Sequence, residues 1–200
     1  MPELERLRGR RLVALRGIKL SAAGGAGPKG QMIPGISGRY LDVVVTFHGL
    51  ARALLAEEEE GTMALLNLSV NVYAQKNPGS SFSLSWRPSA PALPTAPTAA
   101  LEAAGWVDGW VSDSLSAPSL IGTPPGGPLS LRRGQDSLSV RVLKDASVCE
   151  AFWDGGRARQ TARWFYASAE SAGGLWLSAG GASGITADVE VWEMGSAWIE

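Results

Sequence analysis

From Leu66 to Tyr73 the chain alternates without a break, with Leu66, Leu68, Val70 and Val72 on one side and Asn67, Ser69, Asn71 and Tyr73 on the other. A period of two scatters apolar residues around a helix axis, but in a strand it gathers them on one face. The pattern recurs as Leu41, Val43, Val45 and Phe47 against Tyr40, Asp42 and Thr46, interrupted by Val44. It returns as Phe82, Leu84 and Trp86 against Ser83 and Ser85, and as Leu138, Val140 and Val142 against Ser139 and Arg141. Such segments are half-buried antiparallel strands, with the apolar side on a core and the polar side toward water. The closing third is denser, with strands expected near 137–144, 147–153, 158–166, 174–179 and 187–194, and Asp154-Gly155-Gly156 is the strongest hairpin signal. About ten strands with no long helix give an all-β, two-sheet antiparallel sandwich.

The intervening segments are rich in breakers, as Gly 25 and Pro 12 require. Residues 22–38, 87–104 and 118–128 read as loops, because proline removes the ladder donor a sheet needs. The one helical-looking stretch, 49–60, ends in Glu57–Glu60 and reads as a surface excursion of one or two turns between strands, with the glutamates a solvated charge run. A net charge of −1 supplies no attraction toward nucleic acid or anionic lipid, so neither is an expected partner. One cysteine excludes an internal disulfide and one histidine a multi-histidine metal site. No apolar run approaches the roughly 20 residues of a membrane helix. The start, Met1-Pro2-Glu3-Leu4-Glu5, lacks the basic and apolar stretches of a signal peptide, and the compartment is left open.

No active site is legible. Phosphate-binding, dinucleotide, HExxH, paired CxxC and GxSxG patterns are absent, and no cofactor or metal is called for. His48, at the end of an apolar strand, reads as a structural histidine, and Cys149 as a small core hydrophobe. Of the eight tryptophans, Trp86, Trp164 and Trp176 fall in strand runs and are expected in the core or between sheets. Trp106 and Trp110 admit two readings: core packing, which is favoured, or a patch that stacks on sugar rings. Asn67-Leu68-Ser69 is an N-glycosylation sequon on the outward face of its strand.

The segment Asp145-Ala146-Ser147-Val148-Cys149-Glu150-Ala151-Phe152-Trp153-Asp154-Gly155-Gly156 resembles the D-x-S-x-x-E-x-F-x-N/D-G-G signature in the C-terminal β-sandwich of glycoside hydrolase family 32, the invertases, inulinases and levanases. Thr161-Ala162-Arg163 falls where that family has T-x-R, ahead of the aromatic run Trp164-Phe165-Tyr166. Gly174-Leu175-Trp176-Leu177 looks like the family's next strand, and Val189-Glu190-Val191-Trp192-Glu193-Met194 is similar to its closing strand. Pro2-Glu3-Leu4-Glu5-Arg6-Leu7-Arg8 resembles the junction between the family's propeller and its sandwich. Through 20–128 only strand spacing supports the likeness; loop 87–104 looks like an insertion, and Cys149 and Ala151 replace valines.

The resemblance implies a concanavalin-like, lectin-type jelly roll, with residues 1–20 as a junction from a missing propeller and 21–200 as the sandwich. The family's N-D-P-N, R-D-P and E-C motifs do not occur, and the two carboxyl groups that a retaining glycosidase holds about 5–5.5 Å apart belong to the propeller. The marker residues Asp145, Ser147, Glu150, Phe152, Gly155, Gly156, Thr161, Arg163 and Trp192 are therefore expected to build the fold, with Glu150 and Arg163 able to pair between neighbouring strands. The expected role is accessory: support of a β-fructofuranosidase-type catalytic domain, with a cleft-rim or homodimer contact and a sucrose-type fructoside as further partners. Leu4, Leu7, Leu12, Val13, Leu15 and Ile18 are the candidate apolar surface toward the propeller. The alternative is a freestanding lectin-like sandwich.

Overall fold

The computed structural model describes residues 2–20, 30–54, 66–73, 81–88, 104–112, 126–132, 134–145, 148–163 and 174–195. A short helix α1 (Pro2–Glu5) leads into strands β1 (Arg8–Lys19), β2 (Gln31–Ile33), β3 (Leu41–His48), β4 (Asn67–Tyr73), β5 (Ser81–Pro88) and β6 (Gly105–Ser112). Strands β7 (Gly127–Pro128), β8 (Ser137–Lys144), β9 (Val148–Trp153), β10 (Ala158–Arg163), β11 (Gly174–Gly180) and β12 (Thr186–Met194) complete the order. They form two six-stranded sheets, β1-β12-β3-β8-β9-β10 and β2-β11-β4-β5-β6-β7, antiparallel at every pairing. The all-β sandwich read from the alternation is the fold.

The core lies between the sheets and is built by the alternation itself. Leu41, Val43, Val45 and Phe47 of β3 and Leu138, Val140 and Val142 of β8 face Leu68, Val70 and Val72 of β4 and Phe82, Leu84 and Trp86 of β5, all of them buried. The indole N–H of buried Trp86 donates to the Leu129 carbonyl at 2.9 Å. That bond satisfies the one polar atom a core tryptophan brings with it. Cys149 lies in the same core, where burial pushes its thiol far above its ordinary range and leaves it a small apolar filler.

Strands also reach into segments read as loops or linker. The segment taken as a junction builds β1, an edge strand paired along β12, with Val13 buried and Leu12 and Ile18 packed on the core. Leu15 alone of that leucine-rich set is exposed, while Leu4 and Leu7 are half-buried. The breaker-rich segments lend β2, β7 and the last residues of β5. β2 and β7 are short sheet-edge strands, where a missing donor costs least. In the excursion after β3, a helical turn over 50–54 buries Leu50, Ala53 and Leu54; Glu57–Glu60 lie outside the described residues.

Candidate functional site

Several marker residues, Asp145, Glu150, Arg163 and Trp192, lie toward one end of the first sheet, whereas Gly155 and Gly156 turn the chain at the other end of β9. The β8–β9 hairpin turns through Asp145, whose backbone N–H donates to the Val148 carbonyl at 2.8 Å. Ser147 lies outside the described residues. Beside this turn is a cavity of about 640 Å³, lined by Asp145, Val148 and Glu150 from the hairpin, Leu7 from the amino-terminal segment, Tyr40 ahead of β3, and Met194 at the end of β12. Lys144 also lines it and is buried, its ammonium donating to the Gly38 carbonyl at 2.7 Å. Removal from water lowers that ammonium from 10.5 to about 8. Lys144 continues the inward phase of Leu138, Val140 and Val142, so the alternation does point it at the core, although a lysine at a strand end reads as solvated.

Next to the cavity lies a second feature that the alternation misassigned. Asp42 occupies a nominally outward position on β3, yet its side chain is fully buried. Arg141 of β8 grips it with Nε at 2.8 Å and Nη2 at 2.6 Å, while Arg8 Nε of β1 reaches the same carboxylate at 2.6 Å. On its way the Arg8 guanidinium passes over the Trp192 ring, 3.7 Å from the centroid. The cluster ties four neighbouring strands, β1, β12, β3 and β8, across one face.

The hairpin expected at Asp154-Gly155-Gly156 is present, with Trp153 paired to Ala158 across it. Asp154, Gly155 and Gly156 all have positive φ, at 47°, 72° and 97°, the region glycine enters freely and aspartate tolerates. Arg157 donates to Asp154 at 2.7 Å and to the Ser130 carbonyl at 2.8 Å. On the strands beyond it, Glu150 stands opposite Thr161, and Arg163 opposite Val148, one step along on the same outward face. Phe152 and Trp192 are half-buried on the outer face of the first sheet. His48 takes the structural place expected of it, with Nε2 3.3 Å from Asp188. Among the described residues no cluster of three or more His, Cys, Asp or Glu is placed to hold a metal ion.

The outer face of the second sheet carries the tryptophans. Leu175, Leu177 and Ala179 turn to the core, which sends Trp176 outward, half-buried, rather than between the sheets as expected. Trp164 lies outside the described residues. Trp106 is also outward, 39% exposed, because its neighbours Gly105 and Val107 take the inward positions. The core-packing reading of Trp106 is thereby overturned. Its indole N–H donates to Asp108 at 2.9 Å, and Arg87 holds the same carboxylate at 3.0 Å. Trp110 occupies the next outward register position on β6, opposite Ser83; its side chain lies outside the description. Ser178, Ser69, Ser85 and Asp108 form one row across β11, β4, β5 and β6, and Trp176, Asn71, Ser83 and Trp110 the next. Asn67, the sequon residue, is exposed where β4 begins on the same face.

Fold and site together define an accessory β-sandwich module, with a marked end on one sheet and an aromatic-polar face on the other. The sequence matches the family described as glycosyl hydrolases family 32 C terminal over residues 64–193, and the chain belongs to that family. The resemblance read from the marker residues is thus borne out. Among solved structures the fold matches fructan 1-exohydrolase IIa from Cichorium intybus in complex with 1-kestose, with a TM-score of 0.73 at 20% identity, over 98% of this chain and 38% of that one. Exo-inulinase from Aspergillus awamori matches with a TM-score of 0.58 at 13% identity, over 98% of this chain and 31% of that one. Sucrose-6-phosphate hydrolase from Lactobacillus gasseri gives 0.54 at 16%, over 97% and 30% respectively. At these identities the likeness is one of fold, and the chain spans 30–38% of the length of the enzymes it resembles. No curated protein matches the sequence.

Proposed function

We propose that this sandwich is the supporting domain of a β-fructofuranosidase-type glycoside hydrolase and docks on a catalytic propeller through the marked end of its first sheet. The parent reaction is hydrolysis of terminal β-fructofuranosides such as sucrose. Its nucleophile and general acid are carboxyl groups of the propeller. One observation carries the reading. The cavity at the marked end joins Asp145 and Glu150 of the family signature to Leu7, in the segment that resembles the family's inter-domain junction. Contacts between domains of one chain bury about 600–1,500 Å². Tyr40, 42% exposed at the cavity mouth, supplies the apolar anchor such a contact needs. A cleft-rim or homodimer contact is compatible with the same docking.

Co-expression with a family propeller tests this. The expected result is a one-to-one complex by analytical ultracentrifugation, hydrolysing sucrose or inulin, while the chain alone is silent. Tyr40→Asp is expected to weaken the complex about tenfold or more. A clean monomer that ignores the propeller would overturn the proposal in favour of the freestanding lectin-like sandwich.

A further inference from the structure

We infer that the outer face of the second sheet is a binding platform for a neutral, hydroxyl-rich oligosaccharide. A trough of about 330 Å³ runs over β4, β5 and β6, floored by Ser69, Asn71, Ser83 and Ser85 and walled by Asp108. That volume lies at the small end of ligand sites, about 300–1,000 Å³. Short hydroxyl and amide side chains both donate and accept, which suits a sugar's alternating needs and leaves the floor low enough for a ring to approach. The Oγ of Ser178 already donates to Ser69 at 3.1 Å, so the hydroxyls of this face lie within reach of one another. Trp106 stands beside the trough on β6 and Trp176 across it on β11, giving flat apolar surfaces for the C–H faces of sugar rings.

Two observations point to a ligand rather than to a bare sheet. First, the exposed indole is held in place. Asp108 fixes Trp106 Nε1, Arg87 fixes Asp108, and the chain at Gly126 passes so close that a Cβ there would lie 2.6 Å from that nitrogen and 2.7 Å from the carboxylate. A preorganised aromatic loses little freedom on binding. Second, the one carboxylate among the described residues of the trough is paired with Arg87, so these residues offer no net charge to a phosphate or a charged peptide.

The full chain, made in bacteria so that Asn67 is bare, is run in native gels containing inulin, hydroxyethylcellulose or dextran sulfate. The expected result is retardation by at least one of the two neutral polymers. Trp106→Ala is expected to weaken it about tenfold or more, with the melting midpoint unchanged. Gly126→Val, which displaces the indole without removing it, should act in the same direction. Neither neutral polymer retarding the chain, retardation by dextran sulfate alone, or retardation indifferent to Trp106→Ala would each overturn the inference. The outcome does not depend on the propeller, so failure here leaves the docking proposal standing.

Discussion

The two sheets share one inner face and differ in the outer one. On the first sheet the outward side chains are long, charged and tied to one another: Asp42 between Arg8 and Arg141, and Arg16 to Asp188 and Glu190. On the second they are serines and asparagines between tryptophans, with the Arg87–Asp108 pair on β6. The alternation that builds the core is the same in both, so the outward positions are where the sheets acquire separate tasks. Charge stitching holds strands in one arrangement, which would suit the proposed docking. Small hydroxyl side chains leave room for something else to lie against the backbone.

The largest effect should come from unpicking the stitch. Asp42→Ala leaves two largely buried guanidinium groups facing each other with no acid between them, and breaking a buried pair costs about 3–5 kcal/mol. Ser85→Ala, at an outward position of the second sheet, is expected to change stability by about 0.5 kcal/mol or less. Urea unfolding of the two variants measures the contrast directly. Equal midpoints would show that the outer faces do not differ as described.

Lys144 gives the second test, through pH. The unfolded chain keeps this ammonium protonated up to 10.5, whereas the folded chain releases the proton at about 8. Between those values the unfolded state binds more protons, so the folded state gains stability as pH rises, by about 3 kcal/mol over the full window. Cys149 acts oppositely above 9.0, because its buried thiol stays protonated after the unfolded one ionises. The rise is therefore cleanest between pH 8 and 9. Lys144→Met should remove it, and the stability difference between variant and wild type should move with pH by the same amount. A difference that stays constant from pH 7 to 10 would mean that Lys144 is not desolvated.

Asp42 and Trp176 show where the sequence stops being readable. Alternation placed Leu41, Val43, Val45, Phe47 and their partners correctly, because an inward position needs only an apolar side chain, whatever lies opposite. Asp42 obeys the same periodicity and still ends buried, since its burial depends on Arg8 and Arg141, 34 and 99 residues away, meeting it through a register that no local pattern encodes. Trp176 was misread for the converse reason. Tryptophan in a strand suggests core, but Leu175 and Leu177 had already claimed the inward side. Most of the family markers were legible because six of them lie in one continuous run, Asp145–Gly156, while the trough of the second sheet is assembled from three strands and draws on residues from Ser69 to Gly109.

A smaller effect belongs to the turn that closes the marked hairpin. Gly155 has φ of 72° and open space around it, so a side chain there meets conformational strain and no collision. Gly155→Val should cost about 1–3 kcal/mol, since a branched residue resists this region. Gly155→Asn should cost less, because asparagine tolerates it. Thermal melts that rank the two substitutions the other way would contradict the turn geometry.

The smallest effect lies at the edge of the first sheet, where stitching is exposed and should be weak. Gly17 donates its N–H to Asp188 at 2.8 Å beside an irregularity in the β1–β12 register, and Arg16 and His48 face the same carboxylate. The Gly17 hydrogen bond, aided by His48 and Arg16, holds the Asp188 carboxyl below its usual range. A depressed carboxyl stabilises the fold above the ordinary aspartate value and loses that contribution as pH falls through the lowered one. Asp188→Asn should therefore flatten the acid limb of the stability profile, while Arg16→Ala, which removes only two exposed ion pairs, should cost about 1 kcal/mol or less and vanish in high salt. Amide exchange at Gly17 separates the contributions. Protection lost in Asp188→Ala but kept in Asp188→Asn and Arg16→Ala places the anchor of β1 in the backbone hydrogen bond, whereas loss in Asp188→Asn and Arg16→Ala alike would place it in the charge and make the two outer faces differ at their edges as well as at their centres.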